Sequence, residues 1–275
     1  MRTCGNSGCG GNLAVDFTKE EIRKSDCGHS RGKLAVVGMG PGDPDQMSLR
    51  AYKVLQEADV IIGYKTYIDL LGELVKGKEI VSSGMKREIE RSRIAIEMAA
   101  EGKYVAVVSS GDPGIYGMAG ITLELVEKQG MGNKFDVEIV PGITSANAAA
   151  SSLGAALMHD FAVISLSDLL TPWELIEKRL ELAAQADFVT VLYNPVSKKR
   201  TEQIRTAREI FLKHKSPATP VGIVRNAKRG GEEITRTDLE HFLEYPIDMF
   251  TVVLIGNSQT YNTENFMLTP RGYKV

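Results

Sequence analysis

VVGMGPGDPDQM, residues 36–47, passes from an apolar run through three clustered glycines into a segment with helical character. Strand, glycine turn, helix is the layout of a loop that points backbone N–H groups and a helix N-terminus at a phosphate. The residues themselves argue against an anion. Pro41 has no N–H to give. Asp43 and Asp45 put carboxylates where a phosphate would sit, and no lysine follows at Walker spacing. A dinucleotide fingerprint fails too: Gly38 and Gly40 are followed by Pro41-Gly42, and the next strand leads into GYKTY, residues 63–67, with no acid for a ribose. The turn suits an uncharged or cationic group, or is a plain strand-to-helix turn capped by Asp43 or Asp45.

Outward from this turn, short β-branched runs alternate with amphipathic segments. LAVVGMG, DVIIGY, EIVSS, YVAVV and FDVEIV read as strands; residues 49–58, YIDLLGELV and EIERSRIAIEMAAEG read as helices. Such alternation predicts an α/β fold with mostly parallel or mixed sheets covered on both faces. TSANAAASSLGAAL, residues 144–157, is rich in small residues that let a helix pack closely. It marks a boundary between an N-terminal α/β domain over 33–145 and a C-terminal α/β domain over 146–275. In the latter, WELIEKRLELAAQ and TEQIRTAREIFLKH read as helices between the strands FAVIS, FVTVLY and PVGIVR, before a strand-rich end with FTVVLIGN.

The chain has 275 residues, 43% hydrophobic and 25% charged, enough for two modest domains. With 33 basic and 35 acidic residues its net charge is -2, so no whole-molecule field favours nucleic acid or an anionic membrane. No apolar run is long enough to span a bilayer, and the polar start lacks a secretory layout, which predicts a cytoplasmic protein with no membrane partner. Residues 1–32 read as an appended extension. Its Cys4, Cys9, Cys27 and His29 are donor types that suit zinc or an iron–sulfur cluster, but without the paired spacing of a zinc knuckle. The open alternative is a flexible extension that carries thiols, and no metal site is expected in the main body.

A second turn of the same kind, SSGDPGIYGMAG at residues 109–120, follows the apolar YVAVV. Its glycines allow backbone to approach a ligand, and Asp112 can accept from an amine or hydroxyl, or cap a helix beginning near Ile115. A third, VPGITSANA at residues 140–148, brings the hydroxyls of Thr144 and Ser145 to a helix start, where Thr144 can equally be a cap. Ligands of open α/β sheets sit beyond the carboxyl ends of strands, so three such turns point to one site.

VGMGPGDPD, SSGDPGIYGMAG and PGITSANAAASSLGAALMHDF, in that order, resemble the tetrapyrrole methylase family over about residues 33–275. GYKTY, GMKREIERSRIAIEMA, SLSDLLTPWELIEKR, YNPVSKKR and TPRGY resemble the branch that methylates precorrin-3B, or its cobalt form, at C-17. The resemblance implies two α/β domains with the active site in the cleft between them, a homodimer, and S-adenosylmethionine as methyl donor to a corrin precursor. Cobalt, if present, enters inside the substrate. Carried over by position, Pro41 lies near cofactor and substrate. Ser110, Gly111 and Asp112 hold the cofactor with Ile115 beside it, and Thr144, Ser145, Asn194 and Ala227 add contacts. Tyr116 joins them by adjacency. Tyr193 reads as core, while SKKR (197–200) and AKRGG (227–231) are either solvated loops or a basic rim for a polycarboxylate substrate.

Methyl transfer from a sulfonium depends mainly on alignment and exclusion of water. For this branch the resemblance adds contraction of the ring with loss of the C-20 carbon, a step in which a general acid or base has a place. The candidates are Asp43, Lys86 and His159, with Asp45, Tyr64, Lys65, Arg87 and Glu88 behind them. Relatives acting on uroporphyrinogen place an acid after the second strand; Gly63-Tyr64-Lys65 stands there in this chain, so that role does not transfer.

Overall fold

The computed structural model describes residues 31–274; the extension's Cys4, Cys9, Cys27 and His29 lie outside the described residues. The first half forms a five-stranded sheet from β1 (Lys33–Gly38), β2 (Val60–Tyr64), β3 (Glu79–Ser83), β4 (Tyr104–Ser109) and β5 (Asp136–Val140), ordered β3-β2-β4-β1-β5. Every pairing in it is parallel. Consecutive residues of β1 point to opposite faces. Ala35 and Val37 pack with α1 (Leu49–Glu57), whereas Leu34 and Val36 pack with α3 (Glu88–Ala100) and α4 (Ala119–Lys128). Burial on both faces is why this strand reads as an unbroken apolar run. The predicted helix YIDLLGELV is an α-helix, α2 (Lys65–Leu71), followed by a 3-10 turn over Gly72–Val75.

The second sheet contains β7 (Phe161–Ser165), β8 (Val189–Tyr193), β9 (Pro220–Arg225), β10 (Glu233–Asp238) and β11 (Thr251–Ile255), ordered β10-β9-β11-β8-β7. Only β7 and β8 run parallel; the other three pairings are antiparallel. Apolar runs buried on both faces occur in either kind of sheet, so strand direction was not readable from them. α6 (Trp173–Gln185) and α7 (Glu202–Leu212) cover one face, and α5 (Ser145–Leu153) covers the other. The small residues do what their size allows: Ala146, Ala148, Ala149 and Ala150 are buried, and a Cβ on Gly222 of β9 would lie 2.3 Å from Leu153 of α5. Short strands β6 (Gly154–Ala155), β12 (Tyr261–Asn262) and β13 (Met267–Leu268) form a small third sheet. No described helix is long and apolar enough to cross a membrane.

Candidate functional site

The parallel first sheet carries the loops after β1, β4 and β5 to the same edge, where they interlock. Gly40 N–H donates to Gly111 O at 3.2 Å, and Gly111 N–H returns a bond to Gly40 O at 2.7 Å. Asp112 receives Gly114 N–H on Oδ1 at 2.8 Å and Gly142 N–H on Oδ2 at 3.1 Å, tying the second turn to the third. The packing leaves no room for side chains. A Cβ on Gly142 would meet Gly111 O at 2.1 Å, and one on Gly38 would meet Gly142 N at 2.7 Å. The amides of Gly40, Gly111, Gly114 and Gly142 are therefore spent on the turns themselves rather than offered to a phosphate.

Asp112 caps no helix, because α4 begins at Ala119 rather than near Ile115. The intervening residues form an irregular turn in which Tyr116 is left-handed, with φ 54°. That turn leaves Ile115 41% and Tyr116 59% exposed beside the glycine loops. The Tyr116 hydroxyl crosses to the second sheet, donating to Val163 O and accepting from Ser165 N–H, both at 3.2 Å. Its ring lies 5.6 Å from that of Tyr193. Tyr193 is buried, in keeping with its core reading, and its hydroxyl accepts from Ala146 N–H at 2.8 Å in the first turn of α5. Thr144 is the N-cap of that helix, its hydroxyl accepting from Asn147 N–H at 3.3 Å, and Ser145 is the first helical residue.

From the second half, Asn194 follows β8 in a left-handed conformation, φ 51°, and its side-chain amide donates to Ser165 Oγ at 2.9 Å. Ala227 is buried after β9. Two arginines that sequence reasoning left inside loosely assigned basic stretches belong here. Arg200, 9% exposed, donates from Nη2 to Asn194 O at 2.8 Å, while its buried Nε has no partner among the described residues. Arg229 donates from Nε to Pro41 O and from Nη2 to Ser110 Oγ at 2.7 Å, so one side chain of the second half clasps two turns of the first. Loops of polar sequence carry no apolar period, so their burial had no signal in the chain. Pro41, Ser110, Gly111, Asp112, Tyr116, Thr144, Ser145 and Asn194 thus lie in one connected set of loops, with the exposed Ile115 beside Tyr116 and Ala227 in the loop that carries Arg229.

The three acid–base candidates fare differently. Asp43 stays at the first turn, where its Oδ1 accepts from Asp45 N–H at 3.0 Å and caps a short 3-10 helix. Lys86 sits exposed, at φ 63°, after β3; β2 separates that strand from β4, a displacement of about 10 Å at the usual spacing between strands. His159 lies apart from these loops. It precedes β7, whereas the site gathers at Ser165 beyond four residue steps of about 3.3 Å each. There its Nδ1 accepts from Asp160 N–H at 2.9 Å in a local hydrogen-bonded turn. Tyr64 and Tyr67 meet edge to face at 5.2 Å, and burial first of all raises the pKa of Tyr67, while the positive charge of Arg229 opposes that rise.

A hollow of about 370 Å³ lies at the opposite end of the second sheet, lined by Asp187, His214, Lys215 and Ser258 among others. Its polar side chains are already partnered, Lys215 with Asp187 at 2.8 Å and His214 with Glu181, so it offers no unspent chemistry. Among the described residues no group of three or more His, Cys, Asp or Glu is placed to hold a metal.

The family model for tetrapyrrole (corrin/porphyrin) methylases matches residues 33–243. A cobalt-factor III methyltransferase of Priestia megaterium is 50% identical over 246 residues, covering 89% of this chain and 46% of that protein. A probable cobalt-factor III C(17)-methyltransferase of Salmonella typhimurium is 50% identical over 244 residues, 88% of this chain and 100% of that one. The chain thus spans about half the length of the first relative and the whole of the second. The crystal structure of the methyltransferase CobJ superposes with a TM-score of 0.81 at 37% identity, covering 87% of this chain and 100% of that one.

Proposed function

The chain belongs to the tetrapyrrole methylase family, and from that premise we propose that it transfers a methyl group from S-adenosylmethionine to C-17 of a corrin precursor, with contraction of the ring. The precursor is precorrin-3B or its cobalt-loaded counterpart. The observation that carries this reading is the set of interlocked glycine turns whose amides are spent on one another. Beside them stand an exposed Ile115 and the exposed ring of Tyr116. Such a surface repels nothing in a sulfonium and offers a flat apolar contact to an adenine. Pro41, Ser110, Gly111, Asp112, Ile115, Tyr116, Thr144, Ser145, Asn194 and Ala227 would hold the donor.

When bound, the donor supplies an electrophilic methyl group, and the macrocycle supplies the carbon that takes it. The chain's own work is orientation. Asp112 fixes the relative position of two turns, Tyr116 and Arg229 hold the two halves in register, and Asn194 carries its turn to Ser165. Among the acid–base candidates we take Asp43, in the first turn, as the one nearest the donor site. We take residues 33–145 and 146–275 as the two domains flanking the cleft, and the protein as a cytoplasmic homodimer.

The test is incubation of purified protein with S-adenosylmethionine labelled in its methyl group and precorrin-3-level acceptor, cobalt-free in one arm and cobalt-loaded in the other. Label at C-17 in a ring-contracted product is expected, and the arm that reacts identifies the natural acceptor. Label at another carbon would reassign the chain to a sibling methylase. Binding of the tetrapyrrole without transfer would make it a carrier.

A further inference from the structure

We propose that Arg229 is a specificity-determining residue that binds a carboxylate of a ligand held in the cleft. The inference rests on the methylase reading above and adds to it a residue and a ligand group.

Charge is the first argument. Arg31, Arg50, Arg87, Arg91, Arg205 and Arg225 each have a carboxylate partner; of the described arginines without one, Arg229 is the one whose guanidinium bonds both the first and the second glycine turn. Among the described residues Arg229 has none; its acceptors are a carbonyl and a hydroxyl, and none lies within hydrogen-bond reach of Nη1. Burial pulls its pKa below the usual guanidinium value, opposed by Tyr67. A partly desolvated cation without an anion is costly, and a ligand carboxylate would relieve that cost.

Geometry is the second. The guanidinium spans the ends of β1 and β4, so close to the first turn that a Cβ on Gly42 would lie 2.8 Å from Nε. The loop that delivers it is braced. Asn226 and Lys228 are both left-handed, at φ 52° and 53°, and Arg229 N–H donates to Asn226 O at 2.9 Å. Two such residues, one on either side of Ala227, persist only where the surroundings over-determine them, and such residues gather at ligand clamps. The nearby acid, Glu232, is spent on that brace: Oε1 accepts from Lys228 N–H at 2.8 Å and from Ser152 Oγ at 2.6 Å. A planar fork with a free edge matches a carboxylate. A phosphate is disfavoured because the amides of Gly40, Gly111, Gly114 and Gly142 are already bonded.

Two ligands could bring the carboxylate: the amino-acid end of the methyl donor, or an acetate or propionate arm of the tetrapyrrole. Calorimetry on the full chain separates them, using S-adenosylhomocysteine and 5′-methylthioadenosine, which keeps the adenosine and the thioether but lacks the carboxylate. Wild-type binding of S-adenosylhomocysteine comes first; its absence would defeat the methylase reading rather than this one. Given that binding, a donor carboxylate predicts that Arg229→Gln weakens S-adenosylhomocysteine about tenfold or more and leaves methylthioadenosine within about twofold. A tetrapyrrole carboxylate predicts unchanged affinity for both nucleosides and a KM for the corrin acceptor raised about tenfold, with kcat less affected. Arg229→Lys keeps the charge without the fork and should fall between, which also preserves the readout if the glutamine variant does not fold. Equal loss for both nucleosides, or no change in any of the three ligands, would overturn the proposal.

Discussion

At Gly142 a single methyl group separates a packed site from a disrupted one. The Cβ of Gly142→Ala would lie 2.1 Å from Gly111 O and 2.8 Å from Gly38 O, both main-chain atoms with no rotamer to yield. We expect the variant to lose about 2–3 kcal/mol, read as a fall in Tm of roughly 5–10 °C, and to lose cofactor binding with it. An unchanged Tm would mean that the turns do not interlock as described. Asp112 supports a graded test, since each of its oxygens serves a different turn. Asp112→Asn turns an amide toward one of two N–H donors, and Asp112→Ala abandons both. Affinity for S-adenosylhomocysteine should fall about threefold to tenfold in the first variant and further in the second. Equal affinity in all three proteins would remove Asp112 from the site.

The element on which both halves converge is α5, whose first turn is satisfied from two directions. Thr144 caps Asn147 N–H from within the loop, while Tyr193 reaches from β8 to cap Ala146 N–H. Loss of the cap in Thr144→Ala should cost about 1 kcal/mol. Tyr193→Phe leaves a buried donor unpaired and should cost about 1–3 kcal/mol. Urea unfolding without ligand measures each, and the double variant gives their coupling. A Tyr193→Phe protein as stable as wild type would refute the cap. Thr144 was legible as a cap because a hydroxyl ahead of an alanine run is a local signal. The bond from Tyr193 was not, because its partner stands 47 residues away and nothing in the local pattern of VTVLY links it to that helix. The late start of α4 has a similar origin, since the left-handed Tyr116 is held by bonds to β7, an element far along the chain.

Across the whole molecule, ion pairs set the pH range of stability. Burial tends to raise the pKa of Asp187, but hydrogen bonds from Lys215 and Ser258 outweigh it and hold the carboxyl below its ordinary value; Arg225 and backbone bonds do the same for Asp248. Their contribution is present above the unfolded carboxylate pKa, about 3.9, and is lost as pH falls through the lower folded values. His241 behaves oppositely. A hydrogen bond donated to the Asp238 carboxylate raises its pKa, so its contribution is complete below about 6.5 and is lost as pH rises through the folded value. Urea midpoints between about pH 3 and 9 should therefore be highest on the mildly acidic side of neutrality, and His241→Gln should flatten the alkaline limb alone. A limb unaltered by that change would exclude the pair. At this scale, alternating apolar runs and glycine turns identified the α/β class, the helices α3, α6 and α7 almost to the residue, and the turns that meet at one sheet edge. These are local consequences of period, propensity and backbone permissiveness, which each segment carries in itself. Tertiary structure alone decided that the second sheet is largely antiparallel, that His159 stands at the far end of β7, and that Arg229 reaches across to Pro41 and Ser110. Each of those depends on which remote backbone a segment meets, and a run of residues is equally apolar or equally polar whichever partner it finds.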